Sequence, residues 1–173
     1  MNMIFENELR HELAMLRAEV RELRDHRDIA ALFDTFFFFE DRKSMNDEWA
    51  ASVFTDDVLL ELPPEDYRGI AGLAAHMTEV VALFGPTHHT TTDCHADVHG
   101  DHAVVRVNLT ATHQHVSDGA VPLIVWGYLE ADARRTAAGW RLSRMNFAKV
   151  MRTGEAPAGY AFDENLNVIT VGD

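Results

Sequence analysis

The chain changes its hydrophobic period once, and that change constrains the fold more than any single motif. Up to Gly85-Pro86 apolar residues recur at helical spacings, interrupted by the short run VLLELPP; after it, long stretches alternate and are rich in β-branched residues. Helices first and antiparallel strands afterwards predict an α+β domain with its helices on one face of a sheet. At 173 residues there is room for one such domain with a sizeable core, and too little for two ordinary domains and a linker. One pocket is therefore expected, not an interdomain cleft.

Within the first half, Leu9, Leu13, Leu16, Val20 and Leu23 alternate in spacings of four and three on a strongly charged background, predicting an amphipathic helix over residues 5–27. The seam is about two and a half heptads, fewer than the three to four that specify a coiled coil by themselves, so it either docks on its own domain or pairs with a second chain. A second helix, DIAALFDTFFFFEDRK, aligns Ile29, Leu32, Phe33, Phe36 and Phe37 on a broad face, and its four successive phenylalanines leave little of the last turn for solvent. SMNDEWAASVF predicts a third, short helix capped by Ser44 and anchored by Trp49 and Phe54. GIAGLAAHMTEVVALFGP predicts a fourth, closed by its Gly-Pro stop. Strands follow, with turns at His99-Gly100-Asp101, Ser117-Asp118-Gly119 and Ala137-Ala138-Gly139. Residues 153–173 show no period before NVITV and suit a tail lying over a pocket mouth or on a neighbouring subunit.

The balance of 15 Lys and Arg against 28 Asp and Glu, a formal charge of -13, repels phosphate backbones and anionic lipid, so neither nucleic acid nor membrane is expected as a partner. A single cysteine, Cys94, cannot form an internal disulfide, and the opening residues lack the apolar run of a signal or span; a cytoplasmic location is the expectation.

Chemistry is expected where histidines meet apolar faces. Alternation over residues 103–116 puts His113 on the face of Val105, Val107, Leu109 and Ala111. Such an imidazole is either a core histidine bonded to a carbonyl or an acid–base group in a cavity. On the preceding strand His89, Thr91, Asp93, His95 and Asp97 share a polar face; His89 and Asp93 stand about 13 Å apart along it, too far to pair but able to bracket a ligand. Asp41 ends the phenylalanine-rich helix, where the helix dipole disfavours a carboxylate, and it is either solvated beside Arg42 and Lys43 or compensated by a histidine ring. His95, His99, His102, His113 and His115 do not converge on a tetrahedral point, so no metal is expected. No nucleophile elbow, phosphate loop or dinucleotide fingerprint is present, and no cofactor is expected.

These residues, in this order, resemble the SnoaL-like domains of the nuclear transport factor 2-like superfamily, which include scytalone dehydratase, polyketide cyclases and ketosteroid isomerase. The likeness spans roughly residues 25–150. It is carried by Ile29, Leu32, Phe36 and Asp41, a Trp followed by FTDDV at residues 54–58, then His89, Asp93, Gly100-Asp101 and Ala103, then His113, and finally Gly139, Trp140 and Arg141. The resemblance implies a cone-shaped, curved, largely antiparallel mixed sheet with helices on its concave side, and a core domain over 28–152 between the N-terminal helix (1–27) and the tail (153–173). It also implies a pocket in which His89, His113 and Asp41 are catalytic. We expect Asp41 to orient His113 as base, with His89 as acid or oxyanion donor. Phe37, Trp49, Asp93, Trp126, Tyr128 and Asn146 are the candidates for substrate contacts.

Two departures bear on the reaction. Where scytalone dehydratase uses tyrosines to hold a water on the substrate carbonyl, the matching positions are Glu40 and Leu62, and the usual Asn is Asp93. The implied activity is dehydration or ring closure of a polyketide-like or other apolar cyclic or aromatic molecule. An isomerase of the ketosteroid type and a non-catalytic binding or assembly module are the alternatives, in a homodimer or higher homo-oligomer.

Overall fold

In a computed structural model, which describes residues 2–117 and 119–171 and the side chains from residue 6 onward, the two first helical segments form one 40-residue rod, α1 (Asn2–Asp41). Nothing between residues 24 and 30 breaks a helix, since DHRDIA contains neither glycine nor proline. Every residue of the rod from 6 to 24 is exposed, and it enters the domain at Asp25. From there Ile29, Leu32, Phe33, Phe36 and Phe37 are buried. Phe38 is not: it stays half exposed beneath the Arg42 guanidinium, contrary to the expectation that all four phenylalanines are covered.

Helix α2 (Asp47–Val53) is capped by Asn46, whose side chain accepts from the Trp49 N–H at 2.7 Å, and not by Ser44. Strand β1 (Phe54–Glu61) starts earlier than expected and takes in the FTDDV phrase. The short β2 (Tyr67–Arg68) and helix α3 (Leu73–Val81) follow, then the long strands β3 (Phe84–His99), β4 (His102–His115), β5 (Leu123–Thr136) and β6 (Gly139–Thr153), and a terminal hairpin of β7 (Tyr160–Phe162) and β8 (Val168–Thr170). Asp118, in the middle of one expected turn, lies outside the described residues.

The main sheet has six strands in the order β2-β1-β6-β5-β4-β3; β1 runs parallel to β6 and every other pairing is antiparallel. It is curved and open. Bulges bend it, one on β3 between Thr92 and His95, and one between β5 and β6 at Trp126-Gly127. At the second, a β-carbon on Gly127 would run into the Ala148 carbonyl oxygen, so the close approach of the two strands requires glycine. The α+β cone implied by the sequence is the fold.

Helix α1 crosses the concave side against β3 and β6. One polar clamp fixes its entry. Asp25 accepts two hydrogen bonds from the Arg135 guanidinium at 2.7 Å each and a third from the buried Trp140 indole N–H at 3.0 Å. The Gly-Trp-Arg motif therefore ties β6 to α1, and the Arg135 hydrogen bonds hold the Asp25 carboxyl below its ordinary pKa despite its burial. Among the described residues no helix is long and apolar enough to cross a membrane.

Candidate active site

Burying polar groups among aromatic rings requires each polar atom to find a partner, and the inner end of the cone meets this demand only in part. A cavity of about 140 Å³ lies between α1 and the strands. Phe36 and Phe37 of α1, Leu109 and Ala111 of β4, Leu123 and Val125 of β5, and Met145 and Phe147 of β6 make it largely apolar. The tail forms part of its wall through Pro157, Tyr160, Phe162 and Val168. Five residues bring titratable groups to this lining: Glu40, His89, His113, Lys149 and Tyr160.

His89 is held at its Nδ1 side. Its ring N–H donates to Asp41 Oδ1 at 2.6 Å, its backbone N–H donates to Asp41 Oδ2 at 3.0 Å, and the Thr87 hydroxyl donates to Oδ1 at 2.8 Å. The ring stacks on Phe37 at 4.6 Å. With the proton assigned to Nδ1 by that carboxylate, Nε2 is left as an acceptor facing the cavity. Glu40 Oε1 stands 3.9 Å from Nε2, and Glu40 Oε2 is buried with no hydrogen-bond partner within the protein. Two adjacent carboxyls thus flank one imidazole, one at each nitrogen.

Their surroundings push the two carboxyls in opposite directions. Burial raises the Asp41 pKa, but the His89 ring and backbone hydrogen bonds and the Thr87 hydroxyl outweigh it and hold the group down at about 2. Glu40 has no such donors, and burial pushes its pKa up. Burial also works against charge on His89, yet the Glu40 and Asp41 carboxylates prevail and leave its pKa raised. His113 goes the other way. Burial, reinforced by the nearby His89, brings it down to about 4, so its ring is neutral at pH 7. Its Nδ1 is buried without a partner, its ring lies edge-on to His89 at 5.2 Å, and it packs on Phe84 at 4.4 Å. Burial lowers the Lys149 pKa as well.

The sequence expectations sort cleanly against this geometry. His89, His113 and Phe37 line the cavity, and Asp41 stands directly behind His89. Asp41 is hydrogen-bonded to His89 and not to His113, which corrects the expected pairing, and the two rings are shifted in opposite directions, His113 down and His89 up. Asp93 does not line the cavity. It sits in the β3 bulge at φ +52°, exposed, where its carboxylate accepts from the Asn108 amide at 3.0 Å. Trp49 is core, packed against Phe36 and Phe54. Leu123, Val125 and Leu129 are the β5 residues that face in, so Trp126 and Tyr128 face out, the latter beneath Arg106 at 4.1 Å. Asn146 does not line the cavity, and its amide lies 3.4 Å from Glu130 Oε2.

Glu40, expected only as a departure from the tyrosine of scytalone dehydratase and not as a site residue, lines the cavity. The signal was present: Glu40 follows Phe36 by four and Phe37 by three, which places it on the same helical face as the core. Among the described residues, no group of three or more His, Cys, Asp or Glu side chains is arranged to hold a metal ion.

Comparison with known proteins agrees with the architecture. The model of a SnoaL-like domain matches residues 21–146. Similar solved structures include the Kfla4162 protein of Kribbella flavida, 23% identical with a TM-score of 0.70, covering 76% of this chain and 95% of its own. A protein of Novosphingobium aromaticivorans provisionally named a scytalone dehydratase is 20% identical with a TM-score of 0.68, over 84% of this chain and 99% of its own. The type3 hexachlorocyclohexane dehydrochlorinase of Novosphingobium barchaimii is 18% identical with a TM-score of 0.69, over 80% and 94%. No curated protein matches the chain.

Proposed function

The chain belongs to the SnoaL-like domain family, and from that membership and its cavity we propose that it is a lyase that removes water from a small, mostly apolar β-hydroxycarbonyl compound without a cofactor. The observation that carries this reading is the placement of one imidazole between two carboxyls of opposite tendency, in a cavity lined mostly by apolar side chains. Two of the similar structures bear the names of eliminating enzymes, which favours elimination over ring closure or isomerisation. All three reactions share the same first proton transfer.

The groups divide the work as follows. His89 Nε2, freed as an acceptor because Nδ1–H is committed to Asp41, takes the proton from the carbon next to the carbonyl. The neutral ring of His113 donates a hydrogen bond to the carbonyl oxygen as negative charge develops there. Glu40, held as the acid by burial, gives its proton to the departing hydroxyl. One C–H and one C–O bond break, a C=C bond and an O–H bond form, and water leaves. The proton left on His89 Nε2 is then returned to Glu40, whose Oε1 is 3.9 Å away, through one water molecule, and both groups return to their starting states. The cavity volume of about 140 Å³ is comparable with the ~150 Å³ apolar cavity that accepts benzene, which points to a substrate of about one ring.

3-Hydroxycyclohexanone is a probe of this class, and its conversion to cyclohex-2-enone is followed by the absorbance of the enone. The base must be unprotonated, and the Asp41 carboxylate favours the charged ring, so kcat/KM falls with decreasing pH as His89 takes up a proton. The acid must keep its proton, and burial raises its pKa, so kcat/KM is lost again on the alkaline side as Glu40 ionises. Glu40→Gln, which keeps a donor but has no proton to transfer, is expected to lose about 10²-fold or more. Binding of the probe with no enone released would assign the cone to a carrier instead.

A further inference from the structure

The exposed half of α1 is unexplained by any site within the cone. Leu9, Leu13, Leu16, Val20 and Leu23 are each between 42% and 64% exposed, and none docks on the domain. A stripe of this kind on a 23-residue projecting rod needs a partner.

The residues beside the stripe say which one. With Leu13 and Val20 at the a positions of a heptad and Leu9, Leu16 and Leu23 at d, every flanking e position is arginine (Arg10, Arg17, Arg24) and both g positions between them are glutamate (Glu12, Glu19). All five are exposed, and among the described residues none is engaged in an ion pair within the chain. Two such helices side by side in the same direction bring Glu12 to Arg17 and Glu19 to Arg24 across the seam, on both sides. In the opposite direction, arginine meets arginine and glutamate meets glutamate. Leucine at d with a β-branched residue at one of the two a positions suits two strands.

The rest of the rod permits this arrangement. At 3.6 residues per turn the stripe lies on the side opposite Ile29 and Phe36, so the face that pairs points away from the face that enters the cone. Each domain would then hang on the outer side of its own helix. The seam ends where Arg27 takes the next a position, just beyond Asp25, at which the rod is captured by Arg135 and Trp140. The matched family domain starts at residue 21, so most of the stripe is an addition to it.

We propose that residues 9–24 form a parallel, two-stranded coiled coil with a second copy of this chain, with Glu12–Arg17 and Glu19–Arg24 pairs fixing its direction. The seam is short and its flanking pairs are screened by salt, so the dimer forms in a concentration- and salt-dependent equilibrium.

Sedimentation of the full chain at low salt tests it. The wild type is expected to sediment as a dimer. Glu12→Lys/Glu19→Lys, with only basic flanks, and Arg17→Glu/Arg24→Glu, with mainly acidic ones, are each expected to be monomeric, and an equimolar mixture of the two to recover the dimer. Direction is read in a Cys94→Ser background, which removes the exposed native thiol. Leu9→Cys is expected to cross-link to itself on oxidation in the parallel pair, whereas in an antiparallel pair it would cross-link only to a chain carrying Leu23→Cys. A wild type that stays monomeric at its highest attainable concentration overturns the proposal. So does a Glu12→Lys/Glu19→Lys chain that remains dimeric, or cross-linking found only between Leu9→Cys and Leu23→Cys. Because residues 6–24 are exposed, the thermal midpoint of the domain at high salt and low protein concentration, where every chain is monomeric, should be the same in every variant; an altered midpoint there would place the stripe against the domain and also overturn the proposal.

Discussion

Replacing His89 with glutamine is expected to lower kcat/KM for dehydration of the probe by about 10²- to 10⁴-fold, the usual worth of a positioned acid–base group and equal to roughly 3 to 5 kcal/mol of transition-state stabilisation. Asp41→Asn is expected to fall in the same range for a reason visible in the hydrogen bonds. Asp41 accepts from three donors, the Thr87 hydroxyl and the His89 ring on Oδ1 and the His89 backbone N–H on Oδ2. Asparagine has one oxygen for these three. If that oxygen faces the ring, its amide hydrogens oppose the backbone N–H. If it faces the backbone, the amide donates to Nδ1, the ring proton moves to Nε2, and the base is lost.

The double variant should be little worse than either single one, because the two residues act as one base. Steady-state kinetics with the thermal midpoint measured alongside checks both points. Glutamine at position 89 with undiminished turnover would rule out the assignment of the base.

The same pair sets a pH dependence of stability. Asp41 has a folded pKa of about 2, below its unfolded value of about 3.9, so its contribution is present above that value and is lost as the pH falls toward 2. His89 has a raised folded pKa, so its contribution is complete below about pH 6.5 and is lost as the pH rises through the folded value. In Asp41→Asn the first of these should vanish, and the loss of stability should shrink as the pH is lowered below about 4.

Phe36→Ala is expected to be the most damaging truncation on α1. The ring is buried against Trp49 and Phe54, with centroids 5.8 Å from each, and meets Phe37 edge-on at 4.8 Å. Removing it should cost about 3 to 5 kcal/mol, which for a chain of this size lowers the thermal midpoint by roughly 6 to 20 °C. Phe38→Ala, two residues on, should change stability by no more than about 0.5 kcal/mol, because that ring is 52% exposed. Equal losses at the two positions, read by chemical denaturation, would mean that the helix enters the cone with a different face.

Much of this architecture was readable from residue patterns, and the errors have identifiable causes. Alternation on β4 placed His113 with Val105, Val107 and Leu109, and the strand does face the cavity with that side. The same rule failed on β3, because an extra residue at the bulge interrupts the parity between His89 and Asp93 and turns Asp93 outward. Capping by Asn46 and not Ser44, and the fusion of two expected helices into one rod, are boundary matters that local propensity leaves open. Glu40 was read only as a departure from the family pattern although helical spacing places it inward, because a carboxyl on a buried face is a costly choice that only a cavity makes useful.

By itself, then, the sequence determined the order of helices and strands, the side of β4 that faces inward, the phenylalanine face of α1, the charged flanks of its leucine stripe and the family. These are matters of period and composition, which act over a few residues and survive without knowledge of the rest of the chain. Tertiary structure alone decided that Asp41 serves His89, that Glu40 faces Nε2 across 3.9 Å, and that the terminal hairpin contributes to the cavity wall. Each of those depends on segments 40 or more residues apart being brought to within hydrogen-bond or van der Waals distance. A shift of one residue in strand register, or one bulge more or fewer, would have joined different side chains from the same sequence.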